Sequence, residues 1–308
     1  MTVALLLSGQ GGQHPGMFDL TADDPAAQPI FAAAKTHLDG TDPRDLARAG
    51  DDRLHANRAG QILCCTAALA AWRTLGPAQP DRAIVAGYSV GDLAAWGVAG
   101  RLDQADVLAL AARRAEAMDA ASGAGFGLAG IRGLALDTLA NLAARHGCHL
   151  AIRNAADSGV VGGPRDALDA LCVEASGSGA QRAVVLPVHT PSHTPLLAAA
   201  TAAFRDALAQ ATLRRPAPAS PRLVSGLDGA TVFRVPEGLE KLALQISRPI
   251  DWAACLDTCR EYGADRVLEL GPGHALATMA RTAMPDARIH ALDEFRSLAG
   301  VIDWLGKR

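Results

Sequence analysis

The sequence predicts an α/β protein in which a parallel sheet is covered by helices and a smaller lobe is inserted into the larger one. Three observations carry that expectation. Strand and helix signals alternate from residue 3 to about residue 120, an order that implies parallel strands joined by crossover helices. A glycine-rich stretch, Ser122-Gly123-Ala124-Gly125-Phe126-Gly127, then marks a boundary. Beyond it the signals run β-α-β-β-α-β, the ferredoxin-like order, before helices and strands of the first kind resume. The expected organisation is a large catalytic lobe made of 1–124 and 190–308, with a ferredoxin-like lobe of 125–189 inserted between them.

In chain order, the large lobe begins with an apolar strand at 3–8, a helix around 28–38 and a long helix at 61–75. A strand at 82–87 and helices at 91–98 and 104–122 follow. The inserted lobe reads as strand 127–131, helix 135–146, strands 149–154 and 159–163, helix 165–176 and strand 182–187. The chain returns with a helix at 196–210 and a proline-rich connector at 215–221. A strand at 222–225, helices at 236–246 and 252–262, and a strand at 266–269 complete the reading. No repeat or low-complexity tract interrupts it apart from a general alanine bias.

Composition sets the outer limits. The chain has 308 residues, about half of them apolar, enough for one large core or two smaller ones. No apolar run approaches the ~20 residues of a membrane span. Net charge is −3 with the charges interspersed, so nothing points to nucleic acid or a membrane surface. Six cysteines include the adjacent Cys64 and Cys65 but show no C-x-x-C spacing, so neither a disulfide framework nor a zinc site is expected. They read as buried thiols in a reducing cytosol, and the location expected is cytoplasmic. The nine histidines form no H-E-x-x-H or comparable ligand cluster, and no metal is expected.

The strongest local signal is Ala86-Gly87-Tyr88-Ser89-Val90-Gly91-Asp92, which follows an apolar strand and precedes an alanine-rich helix. This is the G-x-S-x-G spacing of a nucleophile elbow. The turn forces its Ser into a strained backbone conformation, and Gly at 87 and 91 leaves room for strand and helix to approach. Ser89 Oγ is thereby presented at a helix N-terminus, where free N–H groups and the positive dipole end favour a developing oxyanion. The same spacing also occurs in ordinary turns.

A second loop sharpens the first. Val3-Ala4-Leu5-Leu6-Leu7 runs into Ser8-Gly9-Gln10-Gly11-Gly12-Gln13-His14. A secretory signal is disfavoured because the apolar run is short and no positive segment precedes it. A phosphate loop is disfavoured because no Gly-Lys-Ser/Thr closes it. A rigid turn beside the elbow fits better, with the Gln10 N–H as one oxyanion donor and the N–H of Val90 as the other.

A serine hydroxyl needs an adjacent base. His193 follows the last strand of the inserted lobe in a turn punctuated by Pro187, Pro191 and Pro195, which would fix it at the lobe junction. His189, His274 and His14 are competing histidines. Between 89 and 193, Asp157 is the acid placed in a clear strand-end loop, where a hydrolase would keep the residue that orients its base.

Gly9-Gln10-Gly11-Gly12-Gln13, the elbow at 87–91 and Pro191-Ser192-His193 occur in the order of one family, and the chain resembles the malonyl-CoA:acyl-carrier-protein transacylases. Arg114-x-x-x-Met118, Asn154 at the head of a glycine-rich strand, and Glu269-Leu270-Gly271-Pro272-Gly273 extend the likeness over almost the whole chain. Tyr88 stands where the family usually has His, and Asp92 where it usually has Glu. Tyr at that place on a stand-alone chain resembles the malonyl transferase (epsilon) subunit of malonate decarboxylase more than the fatty-acid enzyme.

The resemblance implies a large lobe of the α/β-hydrolase type and a ping-pong reaction with Ser89 as nucleophile and His193 as base. It implies that the base is oriented by a backbone carbonyl from the loop occupied here by 247–252. Asp251 could serve through its carbonyl or its carboxylate, and the sequence leaves both open. Arg114 would hold the free carboxylate of a malonyl group, for which a planar guanidinium is suited. Consecutive helical residues point about 100° apart, so Arg113 and Arg114 cannot share a face, whereas Met118 lies on that of Arg114. Asn154 would line the acyl pocket, and Ser192, small beside the base, would leave space near the acyl α-carbon.

The implied activity is transfer of malonyl from CoA to an acyl carrier protein within a malonate decarboxylase system. The implied partners are a CoA thioester and a phosphopantetheine-type arm, with no bound cofactor. The alternatives are a fatty-acid or polyketide malonyl transacylase, a serine thioesterase with no need of Arg114, and a non-catalytic carrier-binding scaffold, against which intact Ser89 and His193 speak. Carrier proteins of this kind are typically acidic, so Arg182, Arg214, Arg215 and Arg248 are candidate docking residues at the lobe junction.

Overall fold

A computed structural model describes residues 1–306. The first layer is a parallel sheet with its helices. Strand β1 (Val3–Leu7) leads to α1 (Gln28–Thr36), α2 (Pro43–Ala49) and α3 (Asn57–Leu75), and then to β2 (Ala83–Gly87), α4 (Val90–Val98) and α5 (Gln104–Ser122). The second layer holds β3 (Phe126–Arg132), α6 (Leu136–Arg145), β4 (His149–Ala155), β5 (Ser158–Pro164), α7 (Arg165–Gly177) and β6 (Arg182–Val185). The chain then returns through α8 (Ala198–Leu208), β7 (Arg222–Leu223), α9 (Val235–Leu244), β8 (Ile250–Asp251), α10 (Trp252–Glu261), β9 (Arg266–Leu270), α11 (Ala275–Ala283), β10 (Arg288–Ala291) and α12 (Leu298–Gly306).

The first sheet has the order β10-β9-β1-β2-β7, and every pairing in it is parallel. Both faces of β1 are covered, and the period of two divides its side chains: Val3, Leu5 and Leu7 enter one core, Ala4 and Leu6 the other. The second sheet has the order β6-β3-β5-β4-β8, antiparallel except for the short β4–β8 pairing. Its alternation is equally clear. Ala129 and Ile131 face a core with Leu139, Leu142, Leu168 and Leu171 of α6 and α7. Leu128, Ile152 and Val160 instead join the core containing Ala4, Leu6, Ile84 and Ala86 of the first sheet. The two layers thus share one apolar interior.

Several segments depart from the sequence reading. The long helix α3 starts at Asn57, one turn before the expected 61. Helix α2 was not foreseen, although Asp42 caps it by accepting from Arg44 N and Pro43 occupies its first turn. Strand β8 lies outside 125–189 yet pairs Ile250 with Ile152 and Asp251 with Arg153, so the returning chain adds a strand to the second sheet. The C-terminal α11, β10 and α12 were also not foreseen.

Candidate active site

The elbow forms because two glycines let three backbone segments meet. A Cβ on Gly87 would lie 2.1 Å from the Asp92 nitrogen, and one on Gly91 would lie 2.1 Å from the Leu7 carbonyl oxygen. No side chain fits in either place. Ser89 takes φ +56 there, and His193 takes φ +63. Positive φ in residues other than Gly is costly, so the surrounding hydrogen bonds must hold both. Tyr88 N donates to the Leu7 carbonyl at 2.9 Å, and Asp92 N to the Ser89 carbonyl at 3.0 Å. His193 N donates to the Ile246 carbonyl at 2.8 Å.

These constraints place Ser89 Oγ 2.8 Å from His193 Nε2. His193 is buried and Ser89 is partly open to solvent. Burial, helped by the positive charge of Arg114, lowers the imidazole pKa to about 3, while the bond to Gln245 works the other way. The ring is therefore neutral near pH 7 and able to accept the serine proton.

The other ring nitrogen corrects the expectation for Asp251. His193 Nδ1 lies 2.5 Å from the carbonyl oxygen of Gln245, just after α9, so a backbone carbonyl orients the base but comes from outside 247–252. Asp251 instead caps α10, its side chain accepting from Ala254 N at 3.0 Å, with Arg153 3.7 Å away. Its carboxylate is thereby committed to the start of α10. Asp157 lies exposed in the turn between β4 and β5.

The loop after β1 packs directly on the elbow. A Cβ on Gly9 would fall 2.6 Å from the Tyr88 carbonyl oxygen and 3.3 Å from Ser89 Cβ, so the peptide leading to Gln10 runs beside the nucleophile as Val90 follows it. The glutamines hold this loop: Gln13 Oε1 accepts from Gly11 N at 2.5 Å, and Gln13 Nε2 donates to the Leu54 carbonyl at 3.2 Å.

Arg114 is 1 % exposed and Arg113 lies on the exposed face of the same helix. Arg114 Nη1 donates to Gln61 Oε1 at 2.7 Å, while Nη2 is buried without a partner. Burial lowers its pKa to about 10, which still leaves it charged at neutral pH. Gln61 was missed by sequence reasoning. Its Nε2 lies 2.8 Å from Asn57 Oδ1 and 3.5 Å from Met118 Sδ, so it fixes Arg114 and Met118 together. The available signal was an amide at the head of the apolar run Ile62-Leu63-Cys64-Cys65.

Tyr88 donates to Asn154 Oδ1 at 3.1 Å and stands edge-on to Trp252 with ring centroids 5.3 Å apart. The pair ties the elbow to β4 and α10. Tyr88 and Asn154 also border a largely apolar cleft of about 790 Å³ between the two layers, walled by Leu186, Val188 and Met279. Arg182 lines that cleft, whereas Arg214 is engaged by Asp103 elsewhere. Ser192 is buried beside the base. His14 pairs with Asp293 at 2.7 Å, and His189 is exposed. Cys64 and Cys65 lie under the loop and elbow, and Cys172 is only half-buried.

The fold and the site together define an α/β protein with a serine–histidine pair at a strained strand-to-helix turn. The family model for the acyl transferase domain matches residues 5–230, and the chain belongs to that family. It is 31% identical over 288 residues to the malonyl CoA-acyl carrier protein transacylase of Mycobacterium tuberculosis strain H37Rv, covering 91% of this chain and 92% of that one. The enzyme of the same description from Escherichia coli strain K12 is 29% identical over 310 residues, covering 97% and 98%. Among solved structures, the acyl-carrier-protein S-malonyltransferase of Burkholderia pseudomallei 1710b superposes with a TM-score of 0.89 at 30% identity, covering 98% of this chain and 100% of that one. No helix among the described residues is long and apolar enough to cross a membrane.

Proposed function

We propose that this protein is a malonyl-CoA:acyl-carrier-protein transacylase of the fatty-acid or polyketide kind. The observation that carries the malonyl assignment is Arg114, a buried guanidinium with one unpartnered nitrogen close enough to lower the pKa of His193. An unpaired buried cation is costly, and a substrate carboxylate offsets that cost through charge-assisted hydrogen bonds. A thioesterase for neutral acyl groups has no use for it. The relatives named above are transacylases, and this favours the transacylase over the malonate decarboxylase subunit that Tyr88 suggested. The tyrosine has a local packing reason in Asn154 and Trp252.

In this reading Ser89 Oγ attacks the thioester carbonyl carbon while His193 Nε2 takes its proton. The N–H groups of Gln10 and Val90 hold the tetrahedral oxyanion. Collapse breaks the C–S bond, the CoA sulfur takes the proton from His193, and malonyl remains on Ser89. A carrier thiol then attacks the ester, its proton passes to His193, and Ser89 leaves with that proton restored. Met118 and Asn154 line the acyl site, and the apolar cleft admits the pantetheine arm, with Arg182 near its wall. We also assign 125–189 to a ferredoxin-like inserted lobe on an α/β-hydrolase-like large lobe. The antiparallel order β6-β3-β5-β4 supports the first assignment, the elbow at the end of β2 the second.

Initial rates of malonyl-carrier formation with phosphopantetheinylated carriers test the subclass. A fatty-acid or polyketide carrier should be malonylated faster than a malonate decarboxylase carrier subunit. The reverse preference would restore the decarboxylase reading.

A further inference from the structure

Behind the catalytic histidine lies a buried carboxylate that the reaction above does not use. Asp92 sits three residues after Ser89 on α4 and is 1 % exposed. Its Oδ2 accepts from the Gln245 side-chain Nε2 at 2.8 Å and from Gly226 N at 3.0 Å. Gln245 is the residue whose backbone carbonyl meets His193 Nδ1. Its side chain and its carbonyl thus face two ends of one active centre: the first is tied to the elbow helix, the second to the base. Among the described residues Asp92 Oδ1 and Gln245 Oε1 are buried without partners, and the Gln245 amide is held through its Nε2 bond to Asp92.

We propose that Asp92 is the positioning residue for the base: by gripping the Gln245 amide from the nucleophile's own helix, it fixes the Gln245 carbonyl against His193 and so sets the Ser89–His193 geometry. This rests on the serine-nucleophile reading given above. The nucleophile and the orienting carbonyl, far apart in sequence, are referenced to one helix. Rotation of the Gln245 peptide would tilt the imidazole away from Ser89 Oγ, and a small misplacement of a base costs much of its rate.

The charge on Asp92 matters in the same direction. Groups facing it are Arg114 from α5, Asp228 from the turn before α9 and Cys255 from α10, with His193 beyond Gln245. Burial is the largest influence and raises the Asp92 pKa to about 7, against the opposing bonds from Gly226 and Gln245. Above that pH the ionised carboxylate accepts more strongly and favours the imidazolium formed during attack. Below it the grip weakens. His193 itself titrates far lower, whereas Glu269, bonded to Ser8 beside the elbow, is also raised to about 7, so the limb assigned to Asp92 is the one that Asp92→Asn removes.

The test uses a fluorophosphonate, which Ser89 attacks at phosphorus with loss of fluoride while His193 accepts the proton. It reads the pair without any acyl donor. Asp92→Ala and Gln245→Ala should each slow phosphonylation of folded protein by roughly 10–100-fold, and the double variant should be no slower than either, since both cut one tether. Asp92→Asn, which keeps an oxygen acceptor, should stay within about threefold of wild type at pH 8 and lose the rise through pH 7. If Asp92→Ala fails to fold, Gln245→Ala and the Asp92→Asn profile decide. Unchanged rates in Gln245→Ala, multiplicative losses in the double variant, or a pH limb retained in Asp92→Asn would each overturn the proposal. A wild type that reacts with the fluorophosphonate but takes no malonyl would sink the functional reading alone.

Discussion

Ser89 and His193 are 104 residues apart in sequence, yet their reactive atoms lie 2.8 Å apart and both residues carry positive φ. The strain has a structural cause on each side. At Ser89 two glycines let strand and helix meet where no side chain would fit. At His193 the chain leaves the second sheet through a proline-flanked turn and is tied to the end of α9 by its own N–H and by its ring. Neither conformation is what the residue would choose alone, and their meeting is the observation on which the proposed reactive centre rests.

His193→Ala should lower the rate of Ser89 acylation by roughly 10²–10⁴, the usual worth of a general base. Because burial holds the imidazole pKa near 3, His193 in the wild type should remain neutral throughout pH 5–9. NMR titration of the ring checks this directly. An imidazole that titrates near 6.5 would mean that the site is wetter than its burial suggests.

Arg114→Ala should remove malonyl transfer selectively, since the lost charge-assisted contact is worth roughly 1.5–3 kcal/mol, or about 10–100-fold. Acetyl transfer should be kept or gained, and Arg113→Ala, on the exposed face, should change little. Paired kcat/KM values for malonyl-CoA and acetyl-CoA give the answer. Equal losses for both acyl groups would make Arg114 a structural residue.

Glu269 is buried, accepting from Ser8 Oγ at 2.8 Å and from Ala277 N at 2.7 Å, and burial raises its pKa to about 7. Between the ordinary value of 4.5 and about 7 the folded state binds more protons than the unfolded one, so this group's contribution to stability falls as pH rises through that window. Glu269→Gln should remove that slope. The Tm difference between variant and wild type should therefore move in the variant's favour from pH 4.5 to 7 and level off above it. A difference that stays constant with pH would show that Glu269 is ionised throughout.

Local spacing made the elbow and the arginine phase legible. G-x-S-x-G states a backbone geometry, and Arg114 and Met118 are separated by one helical turn, so both readings needed only nearby residues. The orienting group was not legible, because a backbone carbonyl has no residue type of its own. Gln245 could be named only once His193 Nδ1 was seen to point at it. Gln61 was hidden by the expectation that a residue within a buried helix is apolar. Strand β8 is too short for a period of two to register, and α12 has few polar residues to show which face is buried. Tyr88 carries a local role that the sequence does not show, its hydroxyl bonded to Asn154 and its ring edge-on to Trp252.

The central claim is a malonyl ester on Ser89 that waits for a thiol. Incubate wild type and Ser89→Ala with radiolabelled malonyl-CoA, remove the excess by gel filtration, and add either buffer or phosphopantetheinylated carrier. The account predicts label on the wild type and none on the variant, stable in buffer and passing to the carrier as malonyl-carrier. Rapid release of free malonate without carrier, or label retained by Ser89→Ala, would contradict it.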